Sequence, residues 1–155
     1  MSVRRFQLNN LAEVHSMAAH LSGHFANPGN AISGLFELLL NAIEHGNLEI
    51  GFAKKTQLLM QGIWAEELNT RLHDPRYAGR HVNIELRQEA GNSEVVITDE
   101  GPGFDWAKFL QALPKRNHPH GRGLYIAQHC GFDSVEFNET GNTVICRAPA
   151  AKQSA

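Results

Sequence analysis

Three short segments carry residue types whose spacing suits chemistry. Glu37 and Asn41 stand four positions apart, and Glu44 and His45 complete the same stripe. At about 100° per residue on a helix, all four fall on the face opposite Leu35 and Leu39. A carboxylate and an amide one turn apart can hold Mg2+ and its water, because a hard cation takes oxygen ligands. Taken alone, such a stripe also reads as a solvated helix face. The second segment, Val95-Val96-Ile97-Thr98-Asp99-Glu100-Gly101-Pro102-Gly103-Phe104, runs an apolar strand straight into an Asp and two glycines. Read as structure alone it is a strand ending in a tight turn. Read as a site, it puts Asp99 at the mouth of a pocket, with Gly101 and Gly103 letting a flat ring approach the backbone. The third, Gly121-Arg122-Gly123-Leu124, opens a predicted helix, whose outward N–H groups and dipole favour an anion such as phosphate. No Walker-type loop and no Gly-x-Gly-x-x-Gly run is present to supply a commoner phosphate cradle.

The elements that must position these segments change period partway along the chain. Val3 to Leu8 is predicted as a strand, followed by a helix capped by Asn9 or Asn10 with Leu11, Val14, Ala18, Leu21 and Phe25 along one side. Asn27-Pro28-Gly29-Asn30 breaks it. The second helix carries Ile32, Leu35, Phe36, Leu39 and Ile43, and ends where Gly46 is expected to turn left-handed. A third helix is expected from Gly51 to about His73, with Phe52, Leu59, Ile63 and Leu68 as its apolar side and Gly62 interrupting it. Beyond Asp74-Pro75, strands are predicted for His81 to Gln88 and Glu94 to Thr98 around Gly91-Asn92, and for Phe132 to Phe137 and Thr143 to Arg147 around Gly141-Asn142. A helix from Gly121 to Cys130 separates the two pairs, and the tail is expected to fray from Ala148, with the folded part ending near residue 150. The expected class is α+β, a two-layer sandwich with a mixed, mostly antiparallel sheet covered on one face by helices.

Composition excludes several functions. Fourteen Lys+Arg against sixteen Asp+Glu give a formal charge of −2, and nine histidines would carry it to +7 once protonated. No strong basic excess is present to hold nucleic acid, so none is expected as a partner. The longest apolar runs are a few residues, too short to span a bilayer. The start of the chain has no apolar stretch after Arg4-Arg5, so no secretory signal is expected. Cys130 and Cys146 form no paired motif, which fits a reducing, cytoplasmic setting. At 155 residues a single domain over residues 1–150 is the expectation, with 151–155 as tail.

In this order, Glu37-Leu-Leu-Leu-Asn41-Ala42-Ile43-Glu44-His45-Gly46, Asp99-Glu-Gly101-Pro-Gly103-Phe104 and Gly121-Arg-Gly123-Leu124 resemble the asparagine box and the two glycine boxes of the GHKL ATPases, whose domain is the Bergerat fold. The Asn-Ala-x-x-His-Gly ending and short lid look most like the anti-sigma-factor serine kinases. The resemblance implies ATP and Mg2+ as cofactors. It makes Asn41 the Mg2+ ligand and Glu37 the general base toward the hydroxyl or water that attacks the γ-phosphate. His45 buttresses the helix end near the nucleotide. Asp99 hydrogen-bonds the adenine amino group, with Gly103 beside the ring. Gly121 and Gly123 match the hinge of the ATP lid, whose backbone meets the phosphates, with Leu124 completing that nucleotide-binding box and Arg122 as a candidate phosphate contact. Thr143, in Gly141-Asn142-Thr143, looks like the threonine that supports that aspartate through a water.

The implied activity is a serine/threonine protein kinase that phosphorylates a protein antagonist of a partner-switching pathway. Its implied partners are that antagonist, a sigma factor, or both, and a homodimer is compatible with the family. Two other readings share the boxes: an ATP-binding adaptor without transferase activity, and the ATP-binding domain of a larger histidine-kinase-like protein. The chain departs from the compact serine kinases in residues 47–80, an insertion with Met60, Trp64 and Leu68 that serves packing or a partner. Two histidine pairs remain. His20 and His24 have the i, i+4 spacing of a zinc pair but no third ligand, and His118 and His120 flank Pro119 in the lid. Protonating the lid pair would add positive charge near bound phosphates, so nucleotide affinity is expected to rise below about pH 6.5.

Overall fold

Val82, Ile84 and Leu86 alternate with polar residues, as a strand with one buried face must. All three are buried in the computed structural model, which describes residues 1–105 and 131–152. They belong to β2 (Val82–Glu89), the second strand of a sheet that also contains β1 (Ser2–Leu8), β3 (Asn92–Thr98), β4 (Ser134–Phe137) and β5 (Thr143–Pro149). The order is β1-β2-β3-β5-β4 and every pairing among the described residues is antiparallel. Register lines up the apolar residues: Phe6 faces Ile84, Ile84 faces Ile97, and Ile97 faces Val144. The opposite face carries a ladder of charges, Arg5–Glu85 at 3.1 Å, Glu85–Arg87 at 2.6 Å and Arg87–Glu94 at 3.3 Å, continued by Arg147 on Glu94. One face is therefore built for helices and the other for water.

The helices cover the apolar face. Asn10 is the residue that caps the first, its side chain accepting the Glu13 N–H at 3.2 Å ahead of a short 3-10 turn and α1 (Val14–Ser22). The expected continuation to Phe25 does not occur. Phe25 leaves the helix and bridges to Ala150 beyond the sheet. Pro28 does not break the next element but opens it, at the first turn of α2 (Pro28–Asn41), where a missing N–H costs nothing. Val14, Ala18 and Leu21 of α1 and Leu35, Leu38 and Leu39 of α2 join Ile84, Leu86, Val95 and Ile97 in one core, each Val, Leu or Ile side chain adding about 1.5–3 kcal/mol of burial.

After Asn41 the helix widens into a π-type turn over Ala42–Asn47, in which the Leu48 N–H reaches the Ile43 carbonyl five residues back at 2.9 Å. Gly46 does not take the left-handed conformation expected of it; Glu49 does, at φ 54°. The insertion forms two helices rather than one, α3 (Phe52–Met60) and α4 (Trp64–Leu72), split at Gly62 with φ +72°. That break rotates the expected apolar side. Leu58 is buried, whereas Leu59 and Ile63 are 43% and 38% exposed. The β2–β3 hairpin turns through Ala90 and Gly91, both at positive φ.

The expected fraying from Ala148 does not occur: Ala148 and Pro149 belong to β5, and the Ala151 N–H donates to the His24 carbonyl at 3.1 Å. The predicted helix over 121–130 lies outside the described residues. No helix among the described residues is long and apolar enough to cross a membrane.

Candidate functional site

Asp99 lies one residue past β3, where the central strand runs out of partners and delivers its next side chain to the rim of the helical layer. Its N–H donates to the Asn142 carbonyl at 2.9 Å, and its Oδ1 accepts the Gly101 N–H at 2.8 Å. The carboxyl group is buried, and desolvation pushes its pKa up to about 6 despite that hydrogen bond and the Arg80 charge. The reason Gly46 must be glycine is the same carboxyl: a Cβ at that position would overlap the carboxyl atoms of Asp99. A Cβ on Gly101 would in turn overlap the Gly46 carbonyl. The loop after β3 and the turn after α2 are thus packed backbone against backbone. Asn47 locks them together, its Oδ1 accepting the Glu100 N–H at 2.6 Å.

A second backbone contact closes the other side. Gly103, at φ +84°, packs on the Thr140 carbonyl, and Gly141, at φ +86°, packs on Phe104. The β4–β5 turn is held by one side chain, since Asn138 Oδ1 accepts from the N–H groups of Gly141, Asn142 and Thr143 at 2.8, 3.0 and 3.1 Å. Between these loops and the end of α2 lies a cavity lined by Asn41, His45, Gly46, Asp99, Gly103 and Thr143, with Phe52, Ile97, Phe104, Phe137 and Val144 as its apolar walls. Apolar walls with a few convergent polar groups are what a small-molecule site requires.

The predicted residues divide accordingly. Asn41, His45, Asp99, Gly103 and Thr143 meet at this cavity, and Gly101 stands behind it as the donor to Asp99. Thr143 makes its direct hydroxyl bond to Thr98, its register partner, at 3.2 Å. Glu37 lines a neighbouring groove with His15, Ile32, Ser33 and Phe36. Its carboxyl is half-buried, and desolvation raises its pKa while Lys55 pulls it back. The four-residue stripe is not a solvated face: Glu44 is 4% exposed and pairs with Lys55 at 2.6 Å. Gly121, Arg122, Gly123, Leu124, His118 and His120 lie outside the described residues. The rings of His20 and His24 are 5.5 Å apart.

Four contributors escaped the sequence reading: Asn47, Phe52, Lys55 and Asn138. Asn138 had a signal in the turn-rich Asn138-Glu-Thr-Gly-Asn142, but nothing in one sequence points Lys55 at Glu44, because the pairing depends on how α3 folds back.

The donor set bears on the ions it can take. The amide nitrogen of Asn41 is buried and meets no partner among the described residues. Leaving such a donor unpaired costs about 1–3 kcal/mol, which a ligand bearing an acceptor, such as a phosphate oxygen, recovers, whereas a cation engages the side chain through Oδ1. Among the described residues no three His, Cys, Asp or Glu side chains stand together as a metal cluster. A cation held by Asn41 would therefore take most of its oxygens from phosphates and water, which is the habit of Mg2+.

Comparison with curated proteins gives no significant match. Comparison with family models does: residues 11–148, which hold the helices, the cavity and all strands but the first almost entirely, match the histidine kinase-like ATPase domain. With its asparagine turn, aspartate loop and antiparallel sheet in that arrangement, the chain belongs to the histidine kinase-like ATPase domain family, the GHKL group, and ATP is the ligand that membership implies.

Proposed function

We propose that this chain binds Mg-ATP in the cavity and passes the γ-phosphate to a serine or threonine hydroxyl of a protein partner, as a regulatory kinase of the anti-sigma-factor type. The observation that carries the reading is the convergence of Asp99, Thr143 and Asn41, whose amide nitrogen meets no acceptor among the described residues, on one apolar cavity, with Glu37 one helical turn from Asn41. Asp99, held by the Gly101 N–H, accepts from the exocyclic amino group of adenine. Gly46 and Gly103 keep the backbone close to the ring, and His45 walls the base end. Asn41 would hold Mg2+ through its Oδ1, and the ion would supply charge neutralisation on the phosphates. Glu37 accepts the acceptor hydroxyl's proton as its oxygen bonds to the γ-phosphorus, while the bond from that phosphorus to the bridging oxygen breaks and ADP departs with the electron pair. Gly121, Arg122, Gly123 and Leu124 serve as the lid over the phosphates. In this reading residues 1–150 form one nucleotide-binding unit, and the partner is a serine-bearing antagonist, a sigma factor, or both.

The test is transfer of labelled γ-phosphate from ATP to a serine of a candidate antagonist protein, beside calorimetric ATP binding. Binding with transfer that Glu37→Ala abolishes supports the kinase. Binding without transfer to any partner supports an adaptor whose nucleotide only orders the surface it presents. Absence of ATP binding overturns both.

A further inference from the structure

The insertion was expected to serve packing or a partner, yet its first helix runs against the site. Gly51, extended at ψ 162°, starts α3, so that Phe52 is its first residue and turns in beside His45. The two rings lie 3.8 Å apart at 32°, and Phe52 is 6.1 Å from Phe104, which stands edge-on to Phe137 at 5.7 Å. Phe52 lines the same cavity as Asp99, Asn41 and Thr143. One turn further on, Lys55 pins the helix. Its Nζ is 2.6 Å from Glu44 and 4.7 Å over the Trp64 ring, and its N–H closes the first turn on the Gly51 carbonyl at 2.9 Å. The position of Phe52 is thus fixed from both ends of the turn.

A purine needs two kinds of contact: an acceptor at its edge and flat apolar surface against its face. Asp99 is the edge acceptor, and Ile97 and Val144 are aliphatic wall. Phe52 is the aromatic wall that the insertion adds. We infer that Phe52 is a nucleobase-binding residue, an aromatic platform for the adenine ring supplied by the inserted helix α3. The inference rests on the nucleotide reading above. It makes the insertion part of the ligand site and gives a reason for the helix to start at Gly51 rather than anywhere else in the connection.

Calorimetric ATP binding by the full chain, in excess Mg2+, tests it with Phe52→Tyr, Phe52→Leu and Phe52→Ala. Base–aromatic stacking carries enough energy that its loss should weaken ATP about tenfold or more. Tyr, which keeps the ring, should bind within about twofold of the unaltered chain. Leu keeps most of the apolar volume without the ring and should be weakened about as much as Ala. Leu binding as tightly as Phe overturns the inference, because the position would then only fill space; so does Ala binding as tightly as Phe. If Ala does not fold, the Leu–Tyr comparison decides alone. An unaltered chain that binds no ATP brings down the nucleotide reading itself. An unaltered chain that binds ATP, with all three variants equal to it, brings down only the role of Phe52.

Discussion

The carboxyl group of Asp99 rests directly on the Cα of Gly46, with no room for a side chain between them. This contact ties Asp99 to the turn that follows Asn41 and carries His45, so each positions the other. Gly46→Ala must push the two apart. An overpacked substitution of this kind costs about 1–3 kcal/mol, and it should also displace the acceptor from the cavity. The expected result is a lowered melting temperature together with loss of ATP binding by calorimetry. Gly79→Ala is the control: nothing lies within 4 Å of its Cβ position, and both properties should stay near those of the unaltered chain.

Asp99 gives the pH dependence a definite sign. Its pKa is raised from 3.8 to about 6, so between those values the native state holds a proton that the unfolded chain has released. Stability is therefore higher at low pH and falls as pH climbs through this window, by about 3 kcal/mol in total. Asp99→Asn keeps an acceptor oxygen for the Gly101 N–H and has no charge to desolvate. It should flatten the stability change between pH 4 and pH 7 in denaturant titrations, leave the protein more stable at pH 7, and still lose ATP.

The same group sets a slope for the ligand. Adenine's amino donor is best accepted by the ionised carboxylate, so ATP affinity should fall as pH drops below about 6. His118 and His120, which belong to the proposed lid, are expected to act in the opposite direction. Replacing both by Gln should steepen the fall measured by calorimetry from pH 7.5 to 5.5. A slope unchanged by that replacement removes the lid histidines from the argument.

Glu37→Ala should leave the ATP dissociation constant within about twofold and reduce phosphoryl transfer by about 10²–10⁴-fold, the range of a lost general base. The expectation follows from placement. Glu37 lines a groove with His15, Ile32, Ser33 and Phe36 and is not among the residues lining the cavity of Asn41 and Asp99, so ATP binding is expected not to depend on it. Single-turnover transfer with saturating ATP measures the loss without interference from affinity.

What the sequence revealed and what it hid follow from range. Asn41, Asp99, Gly101 and Gly103 were legible as neighbours of one cavity because they sit where a helix or strand stops, and local periodicity marks such ends. Gly46 was located correctly but for the wrong reason. A helix-closing glycine was expected, while the residue is small because Asp99, 53 positions later in the chain, packs against it. The exposure of Glu44 was misjudged for a similar reason. Its helical face is polar in sequence, and only the return of α3 covers it. Pro28 read as a break because proline in isolation cannot say whether it follows a helix or starts one.

That covering helix leads to the last prediction. Glu44 and Lys55 are 5% and 15% exposed in their side chains, and their separation is 2.6 Å. Burial raises the pKa of Glu44, the Lys55 hydrogen bond and charge lower it, and Glu37 raises it further. Lys55 is thus one cation facing two carboxyls. Lys55→Met leaves Glu44 buried without a partner, a change that costs about 3–5 kcal/mol. It also removes the charge that draws the pKa of Glu37 down, so the acid limb of the pH profile for transfer should move to higher pH. Adding Glu44→Leu to Lys55→Met replaces the pair by apolar groups of similar size. Stability should return to within about 1 kcal/mol of the unaltered chain, since a removed buried pair is often neutral. The apolar pair does not restore the charge that lowers Glu37, so the acid limb should stay shifted in the double variant. Melting curves and transfer profiles on the single and double variants would measure both effects, and a limb that returns to its original position in the double variant would mean that Lys55 acts on Glu37 through Glu44 rather than directly.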